Sequence, residues 1–245
     1  LINGAALNEF SAAIKSVSGL SDVQVRGAQP YVDESLYPLL KQHDGIAIAS
    51  PVLELDALVP SEKNALKIFG IDALLAAMIT PDLVGVPSED KPLDILADDA
   101  IFLSPAAMKW LKVKQGDPLR LRSGTRLMTL RVAGGLVRAR AGQRIAVMDI
   151  GAAQWRFERI GQLSRIDLKL TQGVDRNAFK TRLSQELRGQ ALVTETEDQE
   201  ARNANMSRAY RVNLNVLALV ALFTGAFLVF STQALSVLRR RSEFA

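Results

Sequence analysis

Residues 165–196 read RIDLKLTQGVDRNAFKTRLSQELRGQALVTET. Arg165 to Leu170 alternates polar and apolar residues with the period of a strand. The segment after it puts Phe179, Leu183 and Leu187 on one helical face, with Asp175 as N-cap and Gly189 as the stop. ALVTET then returns as a strand. This is one β-α-β half. A second stands near the start. DVQVRG alternates as a strand, VDESLYPLLKQHDG predicts a helix that Pro38 keeps short or kinked, and IAIASPVLELDALV comes next as strand material. Two such halves, set about a hundred residues apart, predict an α+β fold: a ferredoxin-like split β-α-β sandwich with an insertion between its halves.

These segments set the expected organisation. Residues 1–20 form a stalk helix, with Leu7, Phe10, Ile14 and Val17 at helical spacing and Gly19 at its end. Residues 21–65 and 164–200 form the split part, and 66–163 form the insertion. The insertion is β-rich. LKIFGID reads as a short strand into a turn, and AIFLSPAAMKWLKV as a strand and then a helix capped by Ser104 with Pro105 at its first position. Turns fall at Gly116-Asp117 and Ser123-Gly124 with alternation between them. RIAVMDIGAAQWRF is another strand and then a turn or short helix, and Val84 to Pro92 reads as an exposed loop.

Residues 201–212 predict a second stalk helix, continuous with the apolar run that begins at Val212. From Val212 to Leu238 there is no charged residue, and Val216 to Phe230 is apolar except for Thr224 and Gly225. At ~1.5 Å per residue the run is roughly 40 Å long, against a hydrocarbon core of ~30 Å. Its apolar residues surround the helix instead of forming a stripe, which predicts a transmembrane helix over 213–238 with Leu217, Leu222, Gly225, Phe227 and Phe230 inside it. Arg239, Arg240 and Arg241 abut one end, and the positive-inside rule puts that end in the cytoplasm. Arg202, Arg208 and Arg211 flank the other end, so the count alone is balanced.

The formal net charge of +4 is concentrated at the end of the chain. Beyond residue 200 six arginines face Glu243 alone, which leaves residues 1–200 close to neutral and removes the electrostatic basis for nucleic-acid binding. There is no cysteine, so disulfides, thiolate metal sites and a cysteine nucleophile are excluded. No phosphate-binding glycine loop and no G-x-S-x-G elbow occurs. His43 is the only histidine and reads as a residue of a helix end, not as a catalyst or zinc ligand. Glu195, Glu197, Asp198 and Glu200, and likewise Asp94, Asp98 and Asp99, read as solvated faces. Arg131, Arg138, Arg140 and Arg144 surround a Gly-rich stretch and read as strand ends and turns before an anion site. Trp110 and Trp155 read as core or edge anchors. No cofactor or metal is expected.

The exit from the apolar run has Ser236, Val237, Arg239 or Arg240, Arg241 and Glu243, then Phe244 and Ala245. It resembles the second transmembrane helix of FtsX-like ABC transporter permeases. IFGIDALL, IFLSPAAMKWLKVKQGDPLRL and LRVAGGLV resemble, in the same order, segments of the MacB-like periplasmic core domain. The resemblance implies a split Porter part and an inserted Sabre part, and a first span ahead of Leu1 in a longer protein. It also implies residence in a bacterial cytoplasmic membrane with residues 1–212 outside. Residues 239–245 would begin a cytoplasmic coupling segment in which Arg239, Arg240, Arg241 and Glu243 meet a separate ATPase subunit that binds the ATP. The implied activity is export or mechanotransmission without catalysis by this chain. Membrane lipid, an extracytoplasmic partner or substrate, and a dimer or pseudo-dimer of permease halves complete the expectation. The alternative readings are a membrane-anchored sensor or scaffold without transport, and a membrane-anchored enzyme.

Overall fold

The computed structural model describes residues 20–27, 29–60, 62, 64–136, 138–139, 142–195 and 219–229. The chain divides into two compact units, Leu1–Glu200 and Ala201–Ala245. The first unit opens with β1 (Val23–Arg26), β2 (Val32–Asp33), α1 (Leu36–Lys41) and β3 (Ile46–Leu58). It continues with β4 (Ala65–Ile71), α2 (Ala76–Ile79), a 3-10 turn at Pro81–Leu83, β5 (Val86–Pro87) and a second 3-10 turn at Pro92–Leu96. Next come β6 (Ala100–Leu103), α3 (Pro105–Leu111), β7 (Pro118–Ser123), β8 (Arg126–Gly135), β9 (Ile145–Asp149) and α4 (Ile150–Arg156). It closes with β10 (Gln162–Leu163), β11 (Arg165–Leu170), α5 (Arg176–Glu186) and β12 (Leu192–Glu195).

Local chemistry sets the element boundaries. Asp175 accepts from the Ala178 amide at 3.0 Å and starts α5, and Gly189 at φ +83° lies just past its end. Ser104 caps α3 by accepting from Ala107 N at 3.1 Å, with Pro105 at the first turn. Asp149 caps α4 through Gly151 N at 3.0 Å and Ala152 N at 3.4 Å. Burial pushes the Asp149 carboxyl up, and these amides pull it back. Two segments differ from the sequence reading. Val32 and Asp33 are not helical; they pair as β2 with Leu163 and Gln162 of β10. The loop expected over Val84 to Pro92 contains β5, whose Val86 and Pro87 pair with Gly135 and Gly134.

β12, β1, β11 and β3 are neighbours in that order, antiparallel at every step. Val23, Val25, Ile166 and Leu168 face α1 and α5, where Leu40, Phe179 and Leu183 complete a core. β3 outruns this sheet. It pairs with β11 up to Val52 and with β4 from Val52 to Leu58. From there the ladder runs β4, β9, β6, β8 and β7, and Leu58 against Arg122 brings β7 back to β3. The insertion is therefore a closed barrel that shares one strand with the split sheet, and closure removes exposed strand edges.

Alternate residues fill the barrel. Leu53, Leu55, Leu66, Ile68, Leu119 and Leu121 point inward, and α3 and α4 add Ala107, Ala152 and Ala153. Gly70 allows α4 onto β4, because a Cβ there would stand 2.7 Å from the Ala153 Cβ. On the outer face, Val52, Phe69, Phe102 and Val147 lie beneath Ala76 of α2 and Leu83.

In the second unit residues 219–229 are helical. Among the described residues no helix is long and apolar enough to cross a membrane. The expected stalk helices over 1–20 and 201–212 lie outside the described residues, apart from Leu20, and so does most of 213–238.

Candidate functional site

The alternation in β11 conceals its most unusual feature. Two of its polar residues, Arg165 and Asp167, are as deeply buried as Ile166 and Leu168, at 1% and 0% exposure. Two such buried charges on one strand are costly unless they are paired. Arg165 Nε donates to both Asp167 oxygens, at 2.9 and 3.1 Å. Its Nη1 donates to Glu54 Oε1 on β3. Glu54 also meets Lys67 of β4 at 3.4 Å, and Lys67 meets Asp56 at 3.5 Å. Arg26 on β1 approaches Glu54 at 4.0 Å and donates to Gln24 Oε1 through Nε and Nη2. A belt of charge thus crosses β1, β11, β3 and β4.

Burial governs the electrostatics of this belt. Desolvation pushes the Asp167 carboxyl above its ordinary value, opposed chiefly by the Arg165 guanidinium. Burial, together with the like charge of Arg165, pulls Arg26 down to about 10. The belt lies where the split sheet becomes the barrel. There Ser164 N donates to Val52 O at 2.9 Å, and the Ser164 hydroxyl accepts from Glu54 N at 2.8 Å. Across the same seam Gln154 of α4 donates to Glu34 at 2.9 Å, Glu34 N donates to Gly161 O at 2.9 Å, and β2 pairs with β10. Ile150 packs against both the barrel core and the split-sheet core.

Of the other acidic and basic candidates, Asp94, Asp98, Asp99, Arg131, Arg144 and Glu195 have structural partners, and Glu197, Asp198, Glu200 and Arg140 lie outside the described residues. Asp94 and Asp99 are not a solvated face. Arg131 donates to Asp94 at 2.6 and 3.1 Å and to Asp99 at 3.2 Å through both Nε and Nη2. Asp98 accepts from Arg156 at 2.7 Å. These pairs tie the 92–96 turn to β8, and the loop after it to α4. The Arg131 hydrogen bonds hold the Asp94 carboxyl below the usual carboxylate range. A depressed folded-state pKa adds stability above the unfolded value of ~3.9 and loses it as pH falls through the folded value. The urea midpoint of Asp94→Asn is therefore expected to lie below wild type at pH 7, with the gap closing below about pH 4. An equal gap at about pH 3 and pH 7 contradicts this assignment.

Arg144 stacks on the Trp110 ring at 5.0 Å, and Trp110 Nε1 donates to Glu62 at 2.9 Å. Trp155 is no core anchor, being 66% exposed on α4. His43 bonds Glu186 at 2.9 Å and the Asp44 carbonyl at 2.7 Å, joining the end of α1 to α5. Glu195 accepts from Lys180 at 2.7 Å. Among the described residues no cluster of three or more His, Cys, Asp or Glu is arranged to hold a metal ion.

Of the residues expected within the span, Leu222, Gly225 and Phe227 lie in the described helix, and Leu217 and Phe230 lie outside the described residues. Leu222 and Phe227 are exposed, and nothing stands within 4 Å of a Cβ built on Gly225. The expected coupling residues Arg239, Arg240, Arg241 and Glu243 also lie outside the described residues. Sequence patterning does not disclose the charged seam. The one signal there is the alternation of two strongly charged residues with Ile166 and Leu168 on a strand set between two others.

No protein-family model matches the chain. Over 250 aligned residues, 99% of this chain, it is 26% identical to an uncharacterized ABC transporter permease protein of Mycobacterium tuberculosis. The chain spans 29% of that relative's length. The periplasmic region of MacB from Actinobacillus actinomycetemcomitans aligns with a TM-score of 0.53 at 12% identity, covering 78% of this chain and 96% of that one. The extracellular domain of the noncanonic ABC-type transporter YknZ from Gram-positive bacteria aligns with a TM-score of 0.49 at 12% identity, over 71% and 99%. In sequence this chain is similar to part of an ABC transporter permease, and in fold it resembles the periplasmic region of MacB.

Proposed function

We propose that this chain is the extracytoplasmic core domain and second transmembrane helix of an ABC transporter permease. The observation that carries the reading is the similarity to a permease along 99% of the chain, from the folded unit through the apolar run. In this reading the split sheet is the Porter part and the barrel is the Sabre part. Residues 213–238 cross the cytoplasmic membrane of a bacterium, with residues 1–212 outside. Arg239, Arg240, Arg241 and Glu243 begin the contact with a separate cytoplasmic ATPase subunit. The chain supplies no ATPase chemistry and needs no cofactor of its own. ATP binding and hydrolysis inside move the spans, and the outer domain transmits that movement to an extracytoplasmic partner or substrate. Two permease halves, as a dimer or pseudo-dimer in lipid, frame the pathway.

The test is purification of the tagged protein from detergent-solubilised membranes. An ABC ATPase subunit is expected to co-purify, and replacing Arg239, Arg240 and Arg241 by glutamate is expected to cut its recovery at least tenfold. Recovery of the protein without any ATPase overturns the reading, as does undiminished recovery of the ATPase with the triple variant.

A further inference from the structure

The split sheet and the barrel are consecutive stretches of one fold, and the seam between them lacks the features of a hinge. Hinges are loop or element-terminal residues that absorb large φ/ψ changes. Here the chain crosses the seam twice, and both crossings are held in place. On β3 the crossing is at Val52, which pairs with Arg165 on one side and Ile71 on the other. The return crossing is Ser164, bonded through its amide and hydroxyl to Val52 and Glu54. The Gln154 to Glu34 bond and the β2 to β10 pair add further attachment beside these crossings. Arg165 is the buried element common to both sides. Its Nε binds Asp167 on its own strand and its Nη1 binds Glu54 on the barrel stretch of β3. The planar fork holds two carboxylates in fixed directions, which a lysine cannot do. Opening the seam would pull Glu54 from the guanidinium and leave a buried charge short of its partner.

We infer that the split sheet and the barrel form one rigid lever, tied at the seam by Arg165, so that motion entering through the split sheet is delivered whole to the barrel. The permease reading is needed only to say what drives this lever; its stiffness stands on the seam alone.

The chain contains no cysteine, so engineered pairs label without background. Asn177→Cys on α5 and Thr129→Cys on β8 are exposed positions on opposite sides of the seam. Spin labels there, in the full chain in lipid nanodiscs, are expected to give one narrow distance distribution. In Arg165→Leu the width is expected at least to double, and in Arg165→Lys and Glu54→Gln to grow measurably. Glu54→Gln keeps the Arg165–Asp167 pair, so it tests the tie even if Arg165→Leu does not fold. A broad or two-peaked distribution in the wild-type chain overturns the inference. So does an unchanged narrow peak in the variants that fold, since a residue that only adds stability would lower the unfolding midpoint without widening the distance. No nucleotide or ATPase enters the measurement. A narrow wild-type peak that widens in the variants therefore supports the lever even where no ATPase co-purifies.

Discussion

Arg165→Leu is expected to lower the stability of the folded unit by about 3–5 kcal/mol, the cost of breaking a buried ion pair from one side. The reason is the company Arg165 keeps. Asp167 has no exposure to water, and Glu54 is only partly exposed. Leucine fills part of the volume but leaves both carboxylates without their main cation. Arg26 does not replace it, since it stands 4.0 Å from Glu54 and its own donors are directed at Gln24. Two further outcomes separate a buried-charge effect from simple misfit. Replacing Asp167 by leucine in the same chain removes the stranded carboxylate, so the double variant is expected to regain most of the loss. Acidification is expected to help the single variant as well. Burial already raises the Asp167 pKa, and loss of Arg165 raises it further. A carboxyl raised in the folded state favours folding below its unfolded value and loses that contribution as pH rises through the folded value. The deficit of Arg165→Leu should therefore shrink as pH is lowered from 7 towards about 4. Urea midpoints at constant m give the numbers. A single variant within about 0.5 kcal/mol of wild type, as for an ordinary surface change, excludes the buried-charge account.

Much of this fold is legible in the sequence because most of its signals are local. The caps at Ser104 and Asp175, the short helix around Pro38 and the strand of β11 depend on residues a few positions apart. Closure of the barrel does not. Leu58 meets Arg122 across a wide stretch of chain, and alternation says that a strand has two faces without saying which strand lies beside it. The same ambiguity hides the seam. Arg165 and Asp167 occupy the alternate face of β11, and polar residues at such positions ordinarily meet water. Here β3 and β4 carry Glu54 and Lys67 to that face, which makes it a charge belt. Asp94 and Asp99 read as solvated in the sequence for a related reason. Their partner Arg131 is remote along the chain, and only the parallel pairing of β6 with β8 brings it close.

The seam's position gives the belt a meaning beyond stability. A hydrophobic joint of similar area would also hold the two parts together, and replacing buried ion pairs by apolar groups often costs nothing. What an apolar joint lacks is direction. The Arg165 fork is satisfied only while β11 and β3 keep their present register, so the belt favours one orientation of barrel on sheet. Under the proposed permease reading, rigidity of this kind lets the outer domain pass movement on.

Leu222→Arg is expected to disfavour membrane insertion of residues 201–245 by about 2.5–3.5 kcal/mol, the cost of an arginine at the centre of a spanning helix. At about 1.4 kcal/mol per tenfold this is roughly a 60- to 300-fold change in the ratio of inserted to free segment. Its basis is the surface of the described helix. Leu219, Val220, Leu222, Phe223, Phe227, Leu228 and Val229 are all more than half exposed, and Phe223 reaches 78%. They do not share one face, since Leu222 and Phe223, or Leu228 and Val229, are successive residues about 100° apart on a helix. Side chains this apolar on every side have no favourable arrangement in water, whereas lipid solvates all of them. Thr224 does not disturb this, because its hydroxyl donates to Val220 O at 2.8 Å within the helix. The measurement places residues 201–245 in a reporter in which glycosylation marks translocation of flanking sites. Leu222→Phe is the control and should insert as wild type does. Insertion is read on this segment alone, so that the result does not depend on the rest of the protein. Equal insertion of Leu222→Arg and wild type would mean that residue 222 does not face the hydrocarbon core, and the span would have to be placed elsewhere or given up.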